Sequence, residues 1–586
     1  MFQTPLKKRS SELEKQQQNS NQDAEANHGM LPIDAVFLDG LQSLSGGKIL
    51  EKVLGHPDCP RLIRSMSGED FFFLIHKIGE DSSIELLKLA SLDQWQYVLD
   101  VETWEKDRLE LAQTGLWLRR LLAADPQRLT KWLFSEGQWL AYYYLYRSVV
   151  VEVADEDEGG DDFGPEFFSV DGFFYVRTLQ ETQRGVIDAL LRTMAAEDTL
   201  KYQSVLTGLA GVLPAELEED MYRMRNVRLA EHGFLPREEA IMVFSPMDAE
   251  RLKTGEPDAN PRPVSHPEDV GAVPHWPLQT IQERNLLTQT LSQMSDETLL
   301  DRIRLEFSGL CNQILSAEGF SNWNAEYLEE IQRQAAGYLN LILKERSREE
   351  IKTAENLLRF NTLVSLFRAG FGLAVKLKWK AERWLETSWF RKAGLEPSFW
   401  GEAWEGTLTG ILKNRPLFYG GAESPGGYRH FQSLSDLSAT ENALALLNAL
   451  DRLMASLTER YPLSLSSATI SGGPFHLTVH QLLLTLWARQ QMGLSPSFKP
   501  LSFKAARNFL TMLREGDTVP PYHMFGFEAQ FLEAFSVPDE DFATGSSENL
   551  KDALMRIWQD FSDEMAFVRT EAFDTKYSKC ILIRTA

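Results

Sequence analysis

A mainly α fold, with an N-terminal helical-repeat array carrying one β-hairpin insertion and a C-terminal helical domain after it, is what this 586-residue sequence predicts. Three observations predict it. Apolar residues recur at helical spacing over most of the chain, a capped helix start occurs twice in similar words, and one segment alone alternates like strands about an Asp-Gly turn.

Residues 1–28 are rich in Gln, Asn, Ser, Glu and Lys, bury too little to offset ordering entropy, and are expected to be disordered. The helical-repeat domain is expected over 29–250. Ser67 and Asp70 read as a cap, followed by Phe71, Leu74, Ile75 and Ile78 at i, i+3, i+4 and i+7. Ser91-Leu92-Asp93-Gln94-Trp95 and Ser135-Glu136-Gly137-Gln138-Trp139 then match at Ser, Gln and Trp. Ser at N-cap with Gln at N3 makes a capping box, and Trp falls at N4, where a hydrophobic staple lands. Both indoles are therefore expected to be buried between layers of a stacked, HEAT-like array. Phe167 to Val176, turning at Asp171-Gly172, reads as a hairpin with a type I′ turn. The six prolines between Pro257 and Pro277 mark a linker over 251–280. The second domain, 281–586, is expected to contain longer helices over 281–318, 323–346 and 348–393. A glycine-rich break follows at Arg415 to Ser435, helices resume over 436–565, and Tyr577 to Ile583 reads as a short strand.

Glu69-Asp70 through Leu86-Leu87, Ala90-Ser91, Gln94-Trp95, Leu99-Asp100 and Trp104-Glu105-Lys106-Asp107 resemble an uncharacterised family of large bacterial proteins, a domain of unknown function. That likeness extends over most of the chain after residue 30. Residues 50–145 are also similar to the N-terminal superhelix of magnesium transporters and flagellar motor-switch proteins. The resemblance implies a fold and carries over no catalytic residue.

A net charge of −24 repels phosphate backbones and anionic lipid, so a general nucleic-acid binder is not expected. Cys59, Cys311 and Cys580 lack any metal or disulfide spacing, no apolar run is long enough to span a bilayer, and a cytoplasmic protein is expected. Each chemical motif has a plainer reading beside it. Asp155, Asp157 and Glu166 occupy positions 1, 3 and 12 of an EF-hand-like count, but Gly159 replaces a ligand and Phe167 begins a strand where a helix should leave; a solvated acidic loop explains them as well. His476 and His480 have zinc spacing at i and i+4, yet no glutamate follows His476 and no third ligand can be named. Arg429 and His430 beside Gly420-Gly421 and Gly426-Gly427 suggest an anion loop without matching a phosphate-binding motif, so an exposed loop is expected. Trp379, Trp384 and Trp389, set among six Lys and Arg between Lys376 and Lys392, cannot share a helical face and are expected to wedge the helix between neighbours. No cofactor is implied. The leading expectation is a non-enzymatic scaffold or interaction module whose partner is another protein; the alternative is a metal-dependent enzyme or regulator with its site in the C-terminal half.

Overall fold

The computed structural model describes residues 44–105, 107–154, 163–254, 284–319, 325–463, 477–514, 520–524, 526–536, 546–569 and 579–584, with Phe37 and Leu41. Asp155, Asp157, His476, all of 1–28 and most of 251–280 lie outside them. Helices dominate, with three small antiparallel sheets among the described residues. The chain divides between Arg368 and Ala369 into two compact units.

The first unit begins with short helices. Ser67 caps Gly68–Ile78 by accepting from the Asp70 amide at 3.1 Å. The Leu92–Glu102 helix packs on it and opens with the expected box: Ser91 Oγ accepts from the Gln94 amide, and Gln94 Oε1 from the Ser91 amide. Gln94 Nε2 donates to the carbonyls of Ile63 and Met66, so the box also fixes the preceding helix Cys59–Ser65. Trp95 is buried as expected, its Nε1 donating to Leu87 O and its ring facing the Arg128 guanidinium at 3.9 Å.

The second copy of the box does not form. Ser135 Oγ turns back to donate to Lys131 O, closing the Pro126–Leu133 helix, and Gly137 becomes the N-cap of Gln138–Ser148. The Gly137 amide donates to the Trp132 carbonyl, and the Trp132 ring lies against Gly137, where a Cβ would come within 2.6 Å of it. Trp139 therefore faces outward, 43% exposed, against the expectation of a buried staple.

The hairpin forms with two differences. Strands β4 (Phe168–Ser169) and β5 (Phe174–Thr178) pair, but β5 is central, and β3 (Val149–Val153) pairs on its other side directly after the Gln138–Ser148 helix. The turn is not type I′, because Gly172 alone takes positive φ while Asp171 accepts from the amides of Phe173 and Phe174. A two-residue ladder, β1 (Trp104–Glu105) with β2 (Arg108–Leu109), follows the Leu92–Glu102 helix.

Residues on both sides of the proline-rich segment belong to this same unit. Arg237–Ala240 and Ile241–Phe244 pack on Glu297–Glu318, and Lys253 exchanges hydrogen bonds with Asn361 in both directions at 2.9 Å. The compact units thus divide well downstream of 251–280. The long helices Glu297–Glu318 and Ala325–Ser347 occur near the expected places, and Leu363–Thr387 contains the division point.

In the second unit, Leu434–Arg460 packs along Ser546–Met565, with Val479–Gln491 almost wholly buried. Trp487 is the hub of an edge-on aromatic cluster formed by Phe509, Phe527, Phe531 and Trp558. The glycine-rich break is a half-buried hairpin, β6 (Phe418–Tyr419) with β7 (Tyr428–Arg429), rather than an exposed loop. Its tyrosines close on two glycines of the Glu402–Leu412 helix: a Cβ on Gly406 would meet the Tyr419 ring at 2.5 Å, and one on Gly410 the Tyr428 ring at 2.9 Å. Near the C-terminus, Ile583 makes a single parallel bridge with Leu501.

Candidate functional site

In the first unit three helices converge on a pocket of about 200 Å³. The Leu92–Glu102 helix brings Gln96, Leu99 and Asp100 to it, and Trp104 of β1 follows. The start of Gln138–Ser148 brings Trp139 and Leu140, with Trp132 behind Gly137. Pro214–Glu231 brings Met221, Met224 and Arg228, at i, i+3 and i+7 and hence on one helical face. The walls are thus mostly indole, thioether and leucine, and the two exposed apolar side chains, Trp139 and Met224, stand at the mouth.

The floor is a charged cluster. Asp100 is buried and receives a two-point contact from Arg228, Nε to Oδ2 at 2.6 Å and Nη2 to Oδ1 at 2.8 Å, while Gln96 Nε2 donates to Oδ1 at 2.9 Å. Arg225, only 2% exposed, donates from Nε to the Asp100 carbonyl and faces the Trp104 ring. Burial pulls the Arg225 pKa down to about 10, which leaves it protonated at neutral pH. Both oxygens of Asp100 are engaged and Ser135 Oγ donates away to Lys131 O, while the exposed Glu136 beside Ser135 also lines the pocket. What the pocket can do is receive an apolar group against a fixed polar floor.

Next to this cluster, His232 Nδ1 lies 2.9 Å from Glu69 Oε1, under Tyr97. Burial alone would lower the His232 pKa, but the Glu69 hydrogen bond and charge, with Glu231 and Asp100 behind them, raise it overall. A raised folded pKa adds stability that is complete below about 6.5, the unfolded value, and is lost as pH climbs through the folded value. Urea unfolding should accordingly show wild type exceeding Glu69→Gln by more at pH 6 than at pH 8. An equal gap at both values would contradict this reading.

The other sequence candidates fall elsewhere. His480 is buried beside Trp404 and pairs through Nε2 with Asp560 at 3.0 Å. Glu166 is an exposed turn residue ahead of β4. Among the described residues no group of three or more His, Cys, Asp and Glu side chains could hold a metal ion. Arg429 is taken up by a two-point contact with Asp436, at 2.7 and 2.8 Å, and burial with nearby Arg415 pushes His430 down to about 4. Of the basic-island tryptophans, Trp384 packs near Trp400 and Trp389 near Phe399, as expected for wedges, whereas Trp379 is 47% exposed. All three cysteines are buried and free, and burial raises the thiol pKa of each.

The fold and pocket define a two-unit, mainly α-helical protein with a ring-lined recess over a salt-bridged floor. No helix among the described residues is long and apolar enough to cross a membrane. The chain belongs to the DUF6178 family, a family of unknown function whose model matches residues 25–584. No curated protein and no solved structure matches it, so the likeness to the magnesium-transporter superhelix rests on the residues quoted above alone.

The sequence reading missed this pocket. Trp104, Met224 and Arg228 come from segments more than a hundred residues apart, and the only local signal was an indole at Trp139 that the capping pattern assigned to the interior.

Proposed function

We infer that the protein is a non-enzymatic interaction module that seats one bulky apolar side chain of a partner protein in the pocket between Leu92–Glu102, Gln138–Ser148 and Pro214–Glu231. The observation that carries this reading is the pairing of an exposed Trp139 and Met224 with a recess whose buried carboxylate, Asp100, is already taken up by Arg228 and Gln96. Aromatic and Met side chains around a salt-bridged floor suit the docking of an apolar side chain. A cytoplasmic location goes with it, since the three thiols are free and buried. Burying ~200 Å² of apolar surface contributes about 5 kcal/mol, enough for roughly millimolar binding by a single anchor.

Blocked peptides alike except for a central Trp, Phe, Leu or Ala test it through shifts of the indole N–H signals. The three bulky peptides should bind and the Ala peptide should not. Trp139→Ala should remove binding while changing stability by no more than ~0.5 kcal/mol, because the ring is exposed. Equal binding of the Ala peptide, or undiminished binding to Trp139→Ala, would overturn the assignment.

A further inference from the structure

Among the described residues, the sheet that follows the Gln138–Ser148 helix has an open edge. Its order is β3-β5-β4, which leaves β3 paired on one side only. The register places Val151 opposite Val176 and Glu152 opposite Tyr175, and the flanking bonds Leu179 N to Ser148 O and Ala154 N to Phe173 O mark the hydrogen-bonded pairs. Even-numbered residues of β3 therefore bond inward to β5, and the N–H and C=O groups of Val151 and Val153, with the carbonyl of Val149, point away from it. No described residue supplies a partner to that outer edge.

Side chains alternate along the same strand. Val149, Val151 and Val153 lie on the face that also carries buried Phe174 and Val176, and Val153, at 51% exposure, is the unfinished end of that apolar row. Glu152 lies on the opposite face, exposed and without an ion pair among the described residues. Natural sheets blunt such edges with lysine, proline or a bulge; Val149–Val153 is four valines and one glutamate.

We propose that β3 is a strand-addition edge that takes an extended segment of a partner protein, with apolar side chains beside Val151 and Val153 and a lysine or arginine across from Glu152. Main-chain hydrogen bonds supply affinity, and the alternation supplies the choice of segment. A second copy of this chain fits less well: antiparallel pairing about Val151 sets Glu152 against Val150, and brings together two chains of charge −24 each. The edge stands apart from the pocket and does not depend on the reading given for it.

The probe is a short blocked peptide alternating Val and Thr with one central Lys, measured by fluorescence anisotropy against the full chain. Methylating the peptide amide that would face the Val151 carbonyl should weaken binding roughly tenfold, since it removes one bond and adds a clash. Glu152→Lys should weaken the Lys peptide about fivefold and favour the matching Glu peptide by a similar factor. Val151→Pro removes an outward N–H without touching the ladder to β5, and should abolish binding while Phe174–Thr178 keep their amide-exchange protection. Should that variant lose the sheet, the charge exchange at Glu152 still decides. Trp139→Ala should bind the peptide as wild type does, which separates failure of the edge from failure of the pocket. The proposal is overturned if the methylated peptide binds undiminished, if exchanging the charges changes nothing, or if sedimentation shows self-association that Val151→Pro removes.

Discussion

Asp100→Ala should destabilise the first unit by about 3 kcal/mol, the low end of the range for breaking a buried ion pair. The carboxylate holds Arg228 by two contacts and stands near Arg225, so its loss removes a nearby negative charge from both guanidiniums. The cost is not the full range because Arg228, with its side chain 39% exposed, can turn to water. Arg225 cannot, since its Nε is tied to the Asp100 carbonyl and its ring neighbour is Trp104. Asp100→Asn, which keeps shape and part of the hydrogen bonding, should fall between wild type and the alanine variant. Amide exchange of the Leu92–Glu102 and Pro214–Glu231 helices reports this unit without interference from the other. A loss below about 1 kcal/mol would mean that the cluster is already hydrated and that the pocket floor is not fixed.

Trp487→Ala should cost ~3–5 kcal/mol in the second unit. The indole is completely buried, and four aromatic rings from three other helices meet it nearly edge-on, with centroids 5.4 to 6.3 Å away. Removing it opens a void that Phe509, Phe531 and Trp558 cannot fill without leaving their rotamers. Trp487→Phe should cost markedly less, since it keeps an aromatic at the hub and the indole Nε1 has no hydrogen-bond partner among the described residues. Loss of protection in Leu434–Arg460 and Ser546–Met565 under native conditions is the readout, and equal stability of the Ala and Phe variants would argue against a packing origin.

Local signals in the sequence were the reliable ones. The Ser91 box formed because its partners are three residues apart and nothing else competes for them. The Ser135 box did not form, because the hydroxyl is taken by the Lys131 carbonyl and the next helix opens only at Gln138, a competition that cap chemistry alone does not contain. The hairpin was legible in its two β-rich runs, but β3 was not, since Val149–Val153 abuts a helix with no turn residue between and carries its alternation only as a valine run. The pocket floor was beyond reach, because Asp100 meets Arg225 and Arg228 through folding across the whole first unit.

The buried thiols have a practical consequence for chemistry at the surface. Cys59, Cys311 and Cys580 are the whole complement of the chain, and each is enclosed and held largely in the unreactive thiol form. A cysteine introduced on the outside, at Val153 or Trp139 for instance, is then the single exposed thiol that a thiol-selective reagent meets under native conditions. The molecule is in effect its own blank for site-directed labelling, so spin or fluorescent probes can be attached at either surface without first stripping the native cysteines.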